Sequence, residues 1–165
     1  MWRAVMSATG EPLERTVVVE AKPQSVRAVR GLARAHALAL ALTAERTADV
    51  ELAVSELVTN AVEYGDGTDI HVTIVPTEAD LTVAVRSTTD ETRSASTAAE
   101  TASPSTKLMP HSRAGRGLRI VASVADEVTI ASDGPWLTVS CRFAVRAHDA
   151  ALARTRRTSA RPRAN

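Results

Sequence analysis

The segment DVELAVSELVTNAVEYG, residues 49–65, decides the fold that this sequence predicts. Its apolar residues recur every three or four positions, which is the spacing of one face of an α-helix. Asp49 is suited to be the N-cap, and Gly65 stands where a left-handed C-cap glycine is expected. The segment therefore predicts a core helix around which the rest of the chain is arranged.

Two polar residues of this helix, Glu56 and Asn60, are four positions apart and so are neighbours at the edge of the apolar face. An asparagine offers a carbonyl oxygen to a divalent cation, and a glutamate can orient or deprotonate a nearby hydroxyl. The same spacing also fits an ordinary solvated helix flank. The pair is therefore either a site for cation binding and proton transfer or a solvated flank of the helix. The rest of the sequence has to decide between them.

Length and composition indicate one globular domain, because 165 residues with 44% apolar content suffice for a core. Aromatic residues make up 2%, so that core must be aliphatic. A net charge of +1 gives no domain-wide attraction to nucleic acid or to a membrane. One cysteine excludes an internal disulfide, and the sequence has neither a zinc-binding Cys/His spacing nor a signal peptide or membrane span. We expect a cytoplasmic protein.

The order of patterns along the chain predicts a two-layer α/β sandwich in which a mostly antiparallel sheet has its helices on one face. Alternating or β-branched runs predict strands, and three-to-four periodicity predicts helices. The predicted elements are a strand at 16–20, a helix at 24–42, the core helix, strands at 69–75 and 81–85, a short helix from Gly115, and strands at 127–131 and 136–143.

Three segments flank or interrupt this domain of residues 16–145. Residues 1–15 form an N-terminal extension, and residues 146–165 form an Arg-rich tail that we expect to be disordered. Contact of that tail with nucleic acid is a weaker interpretation, since no aromatic residues are interleaved. Residues 87–114 are rich in Ser, Thr and Ala and have no periodicity, which is typical of a lid, a binding loop or disorder.

Glycines follow this loop in Gly115-Arg116-Gly117 and open the next helix. The first backbone N–H groups of a helix are free, and they can bind phosphate oxygens. Hinge glycines at the end of a loop would have the same appearance. The motif therefore predicts either a phosphate site or a hinge.

With these motifs in place, the chain resembles the GHKL ATPase superfamily, and in particular the histidine-kinase-like ATPase domains of the anti-sigma-factor serine kinases of Gram-positive bacteria. SELVTNAV, residues 55–62, looks like the N-box of that family. GRGLRIV, residues 115–121, looks like its second glycine box. The resemblance covers about residues 16–145 and implies a Bergerat-type ATP-binding fold.

The resemblance also implies roles for the two candidate side chains of the core helix. Asn60 would coordinate the Mg²⁺ of a bound ATP. Glu56 would be the general base that receives a proton from a hydroxyl group of a partner protein. Phosphoryl transfer depends on positioning and charge neutralisation, which agrees with this pair of groups.

The glycine box implies a nucleotide-binding role for Gly115, Gly117 and Leu118, with residues 87–114 as a lid that closes so that backbone amides meet the phosphates. Arg113 and Arg116 lie beside the glycines and are candidates for phosphate contacts, although no family motif fixes them.

One position departs from the family pattern. After the strand at 81–85 the family places an aspartate that accepts the adenine amino group, and here Ser87 stands there. A serine hydroxyl loses the charge-assisted part of that hydrogen bond, about 1 to 3 kcal/mol, which would weaken ATP binding by roughly one or two decades. Asp90 could substitute if the backbone curls back.

The resemblance thus implies an ATP- and Mg²⁺-dependent serine/threonine kinase of the anti-sigma type. It would sequester a sigma factor and phosphorylate an antagonist protein, without direct contact to nucleic acid or membrane, and the resemblance makes a homodimer reasonable. The alternative is a degenerate ATPase-fold module that binds proteins with weak or no nucleotide binding. A third interpretation, a nucleic-acid binder, depends on the Arg-rich tail alone.

Overall fold

The structure, a computed structural model, describes residues 14–89 and 113–145. The predictions for the N-terminal extension, for the tail and for 90–112 of the long loop lie outside these residues. The described elements are β1 Arg15–Val19, α1 Pro23–Ala39, α2 Ala44–Tyr64, β2 Ile70–Pro76, β3 Asp80–Thr88, α3 Arg113–Val124, β4 Glu127–Asp133 and β5 Trp136–Ala144. None of these helices is long and apolar enough to cross a membrane.

The five described strands form one sheet in the order β1-β2-β3-β5-β4, and every neighbouring pair is antiparallel. Alternate residues of β2 and β3 are buried against the helices, which is the pattern of a sheet with one covered face. The core is aliphatic apart from Phe143 and Cys141. The predicted two-layer α/β fold is confirmed.

The start of α2 differs from its prediction. The N-cap is Thr43, whose Oγ1 accepts a hydrogen bond of 3.1 Å from the backbone N–H of Arg46, so Asp49 lies inside the helix. The prediction of Asp49 as N-cap was wrong because Arg46 and Thr47, although polar, are buried at 7% and 4% exposure. Their burial continues the core face of α2 toward its N-terminus with residues that a hydrophobic pattern does not include.

The end of α2 also corrects a prediction. Gly65 has φ −69° and ψ 171°, which is extended backbone and not the left-handed conformation expected of it. Glycine is needed there for space, since a Cβ atom would overlap the carbonyl oxygen of Ala61 and lie 3.3 Å from that of Thr88. The backbone N–H of Asp66 then donates to the Thr88 carbonyl at 3.2 Å. The C-terminal end of α2 is thereby fixed against the end of β3.

The described elements on both sides of the predicted long loop extend into it. β3 continues through Ser87 to Thr88 because its pairing with β5 extends that far. At the other end α3 begins at Arg113, so Gly115 and Gly117 lie within the helix and not before it.

Candidate functional site

The candidate site lies where the N-terminal half of α3 crosses the flank of α2. Glu56 and Asn60 are half-buried on that flank, and Gly117 of α3 is buried against them. A Cβ atom at Gly117 would lie 2.9 Å from Glu56 Oε2, 3.0 Å from Asn60 Nδ2 and 3.2 Å from Asn60 Oδ1. The structure thus brings together the two motifs that the sequence analysis singled out.

The donor set of this site fits a hydrated Mg²⁺ ion held jointly with phosphate groups. Asn60 offers one hard carbonyl oxygen, and the Glu56 carboxylate lies next to it. Within residues 14–89 and 113–145 there is no cluster of three or more acidic, His or Cys side chains that would hold a metal alone. Mg²⁺ usually keeps several waters and binds through one or two protein ligands together with substrate phosphates.

The first turns of α3 are the part of the helix predicted to bind phosphate oxygens. Free N–H groups at the start of a helix favour anions, and Arg113, Gly115 and Arg116 belong to this part of α3. Arg116 is exposed, and the surroundings of Arg113 and Gly115 lie outside what the structure describes. Leu118 is half-buried and packs on the core, so its side chain anchors α3. The proposed roles of these residues in nucleotide binding remain predictions.

Arg46 fixes the other end of α3, and the sequence analysis did not find it. Its Nη1 donates to the carbonyl oxygen of Val124 at 2.7 Å, and its Nη2 pairs with the Asp126 carboxylate. Asp126 also accepts a 2.7 Å hydrogen bond from the backbone N–H of Ala144, and the Arg46 guanidinium lies 5.1 Å from the centre of the Phe143 ring. The end of α3 is therefore tied to both α2 and β5.

A signal for Arg46 was present in the sequence. It stands four residues before Val50, on the same helical face as the core residues Val50 and Val54. An arginine at such a position must find partners, because a buried unpaired charge is costly. The partner Asp126 could not be read from the pattern, since it comes 80 residues later.

Ser87 lies near the end of β3 and points toward the helix layer, following Leu81, Val83 and Val85 on the same side of the strand. It is 9% exposed. Asp90, the predicted substitute for the family's aspartate, lies outside the described residues. Of the two residues predicted to contact adenine, Ser87 and Asp90, only Ser87 is therefore among the described residues.

A hydrogen-bonded turn holds the backbone beside Ser87. Asp66 Oδ1 accepts from the Thr68 hydroxyl at 2.6 Å and from the Thr68 N–H at 2.9 Å, and the hydroxyls of Thr68 and Thr88 lie 2.7 Å apart. These hydrogen bonds, first of all that from the Thr68 side chain, lower the pKa of the Asp66 carboxyl. The link between α2 and β2 is thus attached to the last residue of β3.

Cys141 does not take part in this site. Its thiol is buried in the core and donates to the carbonyl oxygen of Val83 at 3.6 Å. Burial raises the pKa of the thiol to about 12, so a nucleophilic role is excluded at neutral pH.

Gly117→Ala should damage the site while leaving the fold intact. The added methyl group would enter the space between the Glu56 and Asn60 side-chain ends, which can move without disturbing the core. Alanine is also a better helix former than glycine by about 1 kcal/mol. We expect an unchanged or higher Tm together with a loss of ATP affinity of about tenfold or more, measured by thermal unfolding and calorimetry.

Gly31→Ala in α1 is the matched control, because nothing lies within 4 Å of a Cβ atom at that position. It should raise Tm and leave ATP affinity unchanged. Equal ATP affinities of the two variants would show that the space at Gly117 is not part of a nucleotide site.

Comparison with protein families gives a match over most of the chain. A family model described as histidine kinase-like ATPase domain matches residues 19–141, a range that contains α2, β3 and α3. The chain therefore belongs to the histidine kinase-like ATPase domain family. Among the curated proteins, none matches the sequence.

A solved structure shows the same fold. The crystal structure of the RsbU and RsbW domains of Rv1364c from Mycobacterium tuberculosis matches 81% of this chain with a TM-score of 0.59 and 19% sequence identity. The match spans 33% of that chain, so this chain corresponds to about a third of its length.

Proposed function

We propose that this protein binds ATP with Mg²⁺ and transfers the γ-phosphoryl group to a serine or threonine of a partner protein, as a regulator of the anti-sigma factor type. The observation that carries the proposal is the convergence of Glu56 and Asn60 of α2 with Gly117 of α3. This arrangement places a carboxylate, an amide oxygen and a helix N-terminal region side by side, as a phosphoryl-transfer site requires.

Each group has a distinct role in this proposal. Mg²⁺, when bound, would neutralise the phosphate charge, and the Asn60 carbonyl oxygen would be its protein ligand. The backbone N–H groups of the first turns of α3 hold phosphate oxygens. Glu56 accepts the proton of the attacking hydroxyl, for which it must approach that oxygen to about 3 Å.

The identity of the partners is supported by resemblance. The motifs around Glu56 and Gly117 resemble those of anti-sigma-factor serine kinases, and a protein of the same fold contains a domain named RsbW. We therefore propose a sigma factor as the sequestered partner and an antagonist protein as the phosphorylated one.

A second candidate function is a protein-interaction module that has lost nucleotide chemistry. The neutral hydroxyl of buried Ser87 favours it, because this group lacks the charge that would strengthen a hydrogen bond from the adenine amino group. The two functions differ in whether ATP is bound at all.

Calorimetric titration with ATP, with and without Mg²⁺, distinguishes the two functions. For the kinase, binding depends on Mg²⁺, and Ser87→Asp tightens it by about 10- to 100-fold because the hydrogen bond to adenine becomes charge-assisted. Ser87→Asn is the neutral control, and GTP, which has an oxo group where adenine has an amino group, should gain nothing from the aspartate. If neither the wild type nor Ser87→Asp releases or absorbs heat at millimolar ATP, the protein does not bind ATP and is a protein-interaction module.

A further inference from the structure

The outer face of α1 carries an unbalanced positive charge. Residues 23–39 contain three arginines and no acidic residue. Arg27, Arg30 and Arg34 are exposed and are spaced three and four positions apart, so they form one row along the helix. Arg34 lies 3.2 Å from Glu51 Oε2 of α2. In residues 14–89 and 113–145, neither Arg27 nor Arg30 has an acidic partner.

Two exposed leucines lie beside this row. Leu38 is 47% exposed and Leu52 is 42% exposed, which is unusual among the large apolar side chains of the described residues. Leu38 follows Arg34 by one turn of α1. The Arg34–Glu51 ion pair joins the arginine row to α2, the helix that carries Leu52. We name Arg27, Arg30, Arg34, Leu38 and Leu52 the α1–α2 surface.

This surface is continuous with the candidate site. Leu52 and Glu56 are four residues apart on α2 and are therefore neighbours along the helix. A hydroxyl that delivers its proton to Glu56 must approach within about 3 Å of the carboxylate. Leu52 stands one turn of α2 before the carboxylate that a substrate hydroxyl must reach, and the Arg34–Glu51 ion pair joins α2 to the arginine row.

We propose that the α1–α2 surface docks the protein substrate through a segment that carries carboxylates beside an apolar side chain. The inference rests on the proposed function, since it names the recognition surface of the same site. Carboxylates complement Arg27 and Arg30, and an apolar side chain covers the leucines. A nucleic acid backbone offers no apolar cover, and a second copy placed across a two-fold axis would bring arginine rows together.

The test uses two amidated helical peptides, one with leucine and glutamate on one face and one in which lysine replaces every glutamate. Binding to the full chain is measured by fluorescence anisotropy at low and high salt. Arg27→Glu/Arg30→Glu is compared with Arg86→Glu/Arg142→Glu, which changes the net charge equally on the opposite face of the sheet. There, Arg86 lies 4.4 Å from the Trp136 ring centre, and Arg142 pairs with Glu127.

We expect the wild type to bind the glutamate peptide, and more weakly at high salt because charges are then screened. Arg27→Glu/Arg30→Glu should weaken this binding by about tenfold or more and bind the lysine peptide instead. Leu38→Ser/Leu52→Ser should also weaken it, while the variant on the opposite face binds as the wild type does.

Three results would overturn the inference: no binding of the glutamate peptide, equal losses in both arginine variants, or binding of duplex DNA that disappears in Arg27→Glu/Arg30→Glu. A change of molecular mass in that variant, measured by light scattering, would assign the surface to a second copy instead. ATP titration of the same variants separates the two proposals. Normal ATP binding without peptide binding rejects the docking surface, whereas peptide binding without ATP binding rejects the kinase.

Discussion

Glu56→Gln is expected to lower the rate of phosphoryl transfer by about 10²- to 10⁴-fold, because the amide keeps the shape of the side chain but cannot accept a proton as the carboxylate does. ATP affinity should change little, since Asn60 and the α3 backbone remain. Hydrolysis of ATP, in which water replaces the hydroxyl of the partner, gives a readout that needs no partner protein. Single-turnover hydrolysis of radiolabelled ATP measures the chemical step directly.

Glu63→Gln is the matched control, because Glu63 is an exposed carboxylate on the same helix. It should hydrolyse ATP at the wild-type rate. If Glu56→Gln also retained that rate while binding ATP normally, Glu56 could not be the general base, and the role would have to belong to another group.

Arg46→Met is expected to destabilise the fold by about 3 kcal/mol, because it removes the guanidinium that pairs with Asp126 and donates to the Val124 carbonyl oxygen in a largely buried place. For a chain of this length, such a loss lowers Tm by roughly 10 °C. Denaturant unfolding measures the free-energy change, provided that the slope against denaturant stays constant.

An exposed ion pair of the same kind provides the control. Arg34→Met removes the partner of Glu51 from a site where the arginine side chain is 57% exposed, so the expected cost is below about 1 kcal/mol. In the Arg46→Met/Asp126→Asn variant both charges of the pair are absent, and the total loss should be smaller than the sum of the single losses. Equal losses in Arg46→Met and Arg34→Met would mean that Arg46 does not anchor α3.

The parts of the fold that could be predicted from the sequence are those in which local periodicity and burial agree. β2 and β3 alternate, and α2 from Val50 onward has a continuous apolar face, so their types were predicted correctly. The start of α2 was missed because Arg46 is buried by partners distant in sequence. The conformation of Gly65 was missed because it depends on the space left by Thr88 of β3.

The candidate site could also be predicted only in part. Helical spacing alone placed Glu56 and Asn60 on one flank of α2. Nothing in the local sequence placed Gly117 against them, and the resemblance only assigned the glycine box and this pair to the same nucleotide-binding function. Arg46, which fixes the far end of α3, acts through Val124 and Asp126, and their proximity is a property of the assembled sheet and helices.

The buried thiol of Cys141 makes the chain convenient for spectroscopy. It is the single cysteine of the sequence, and burial raises the pKa of its thiol to about 12, so the thiol stays protonated at neutral pH. Maleimide and iodoacetamide dyes react with thiolates, so they should leave Cys141 of the folded protein unlabelled. A cysteine introduced at one exposed position would carry a single fluorophore, and Cys141 could keep its place in the core.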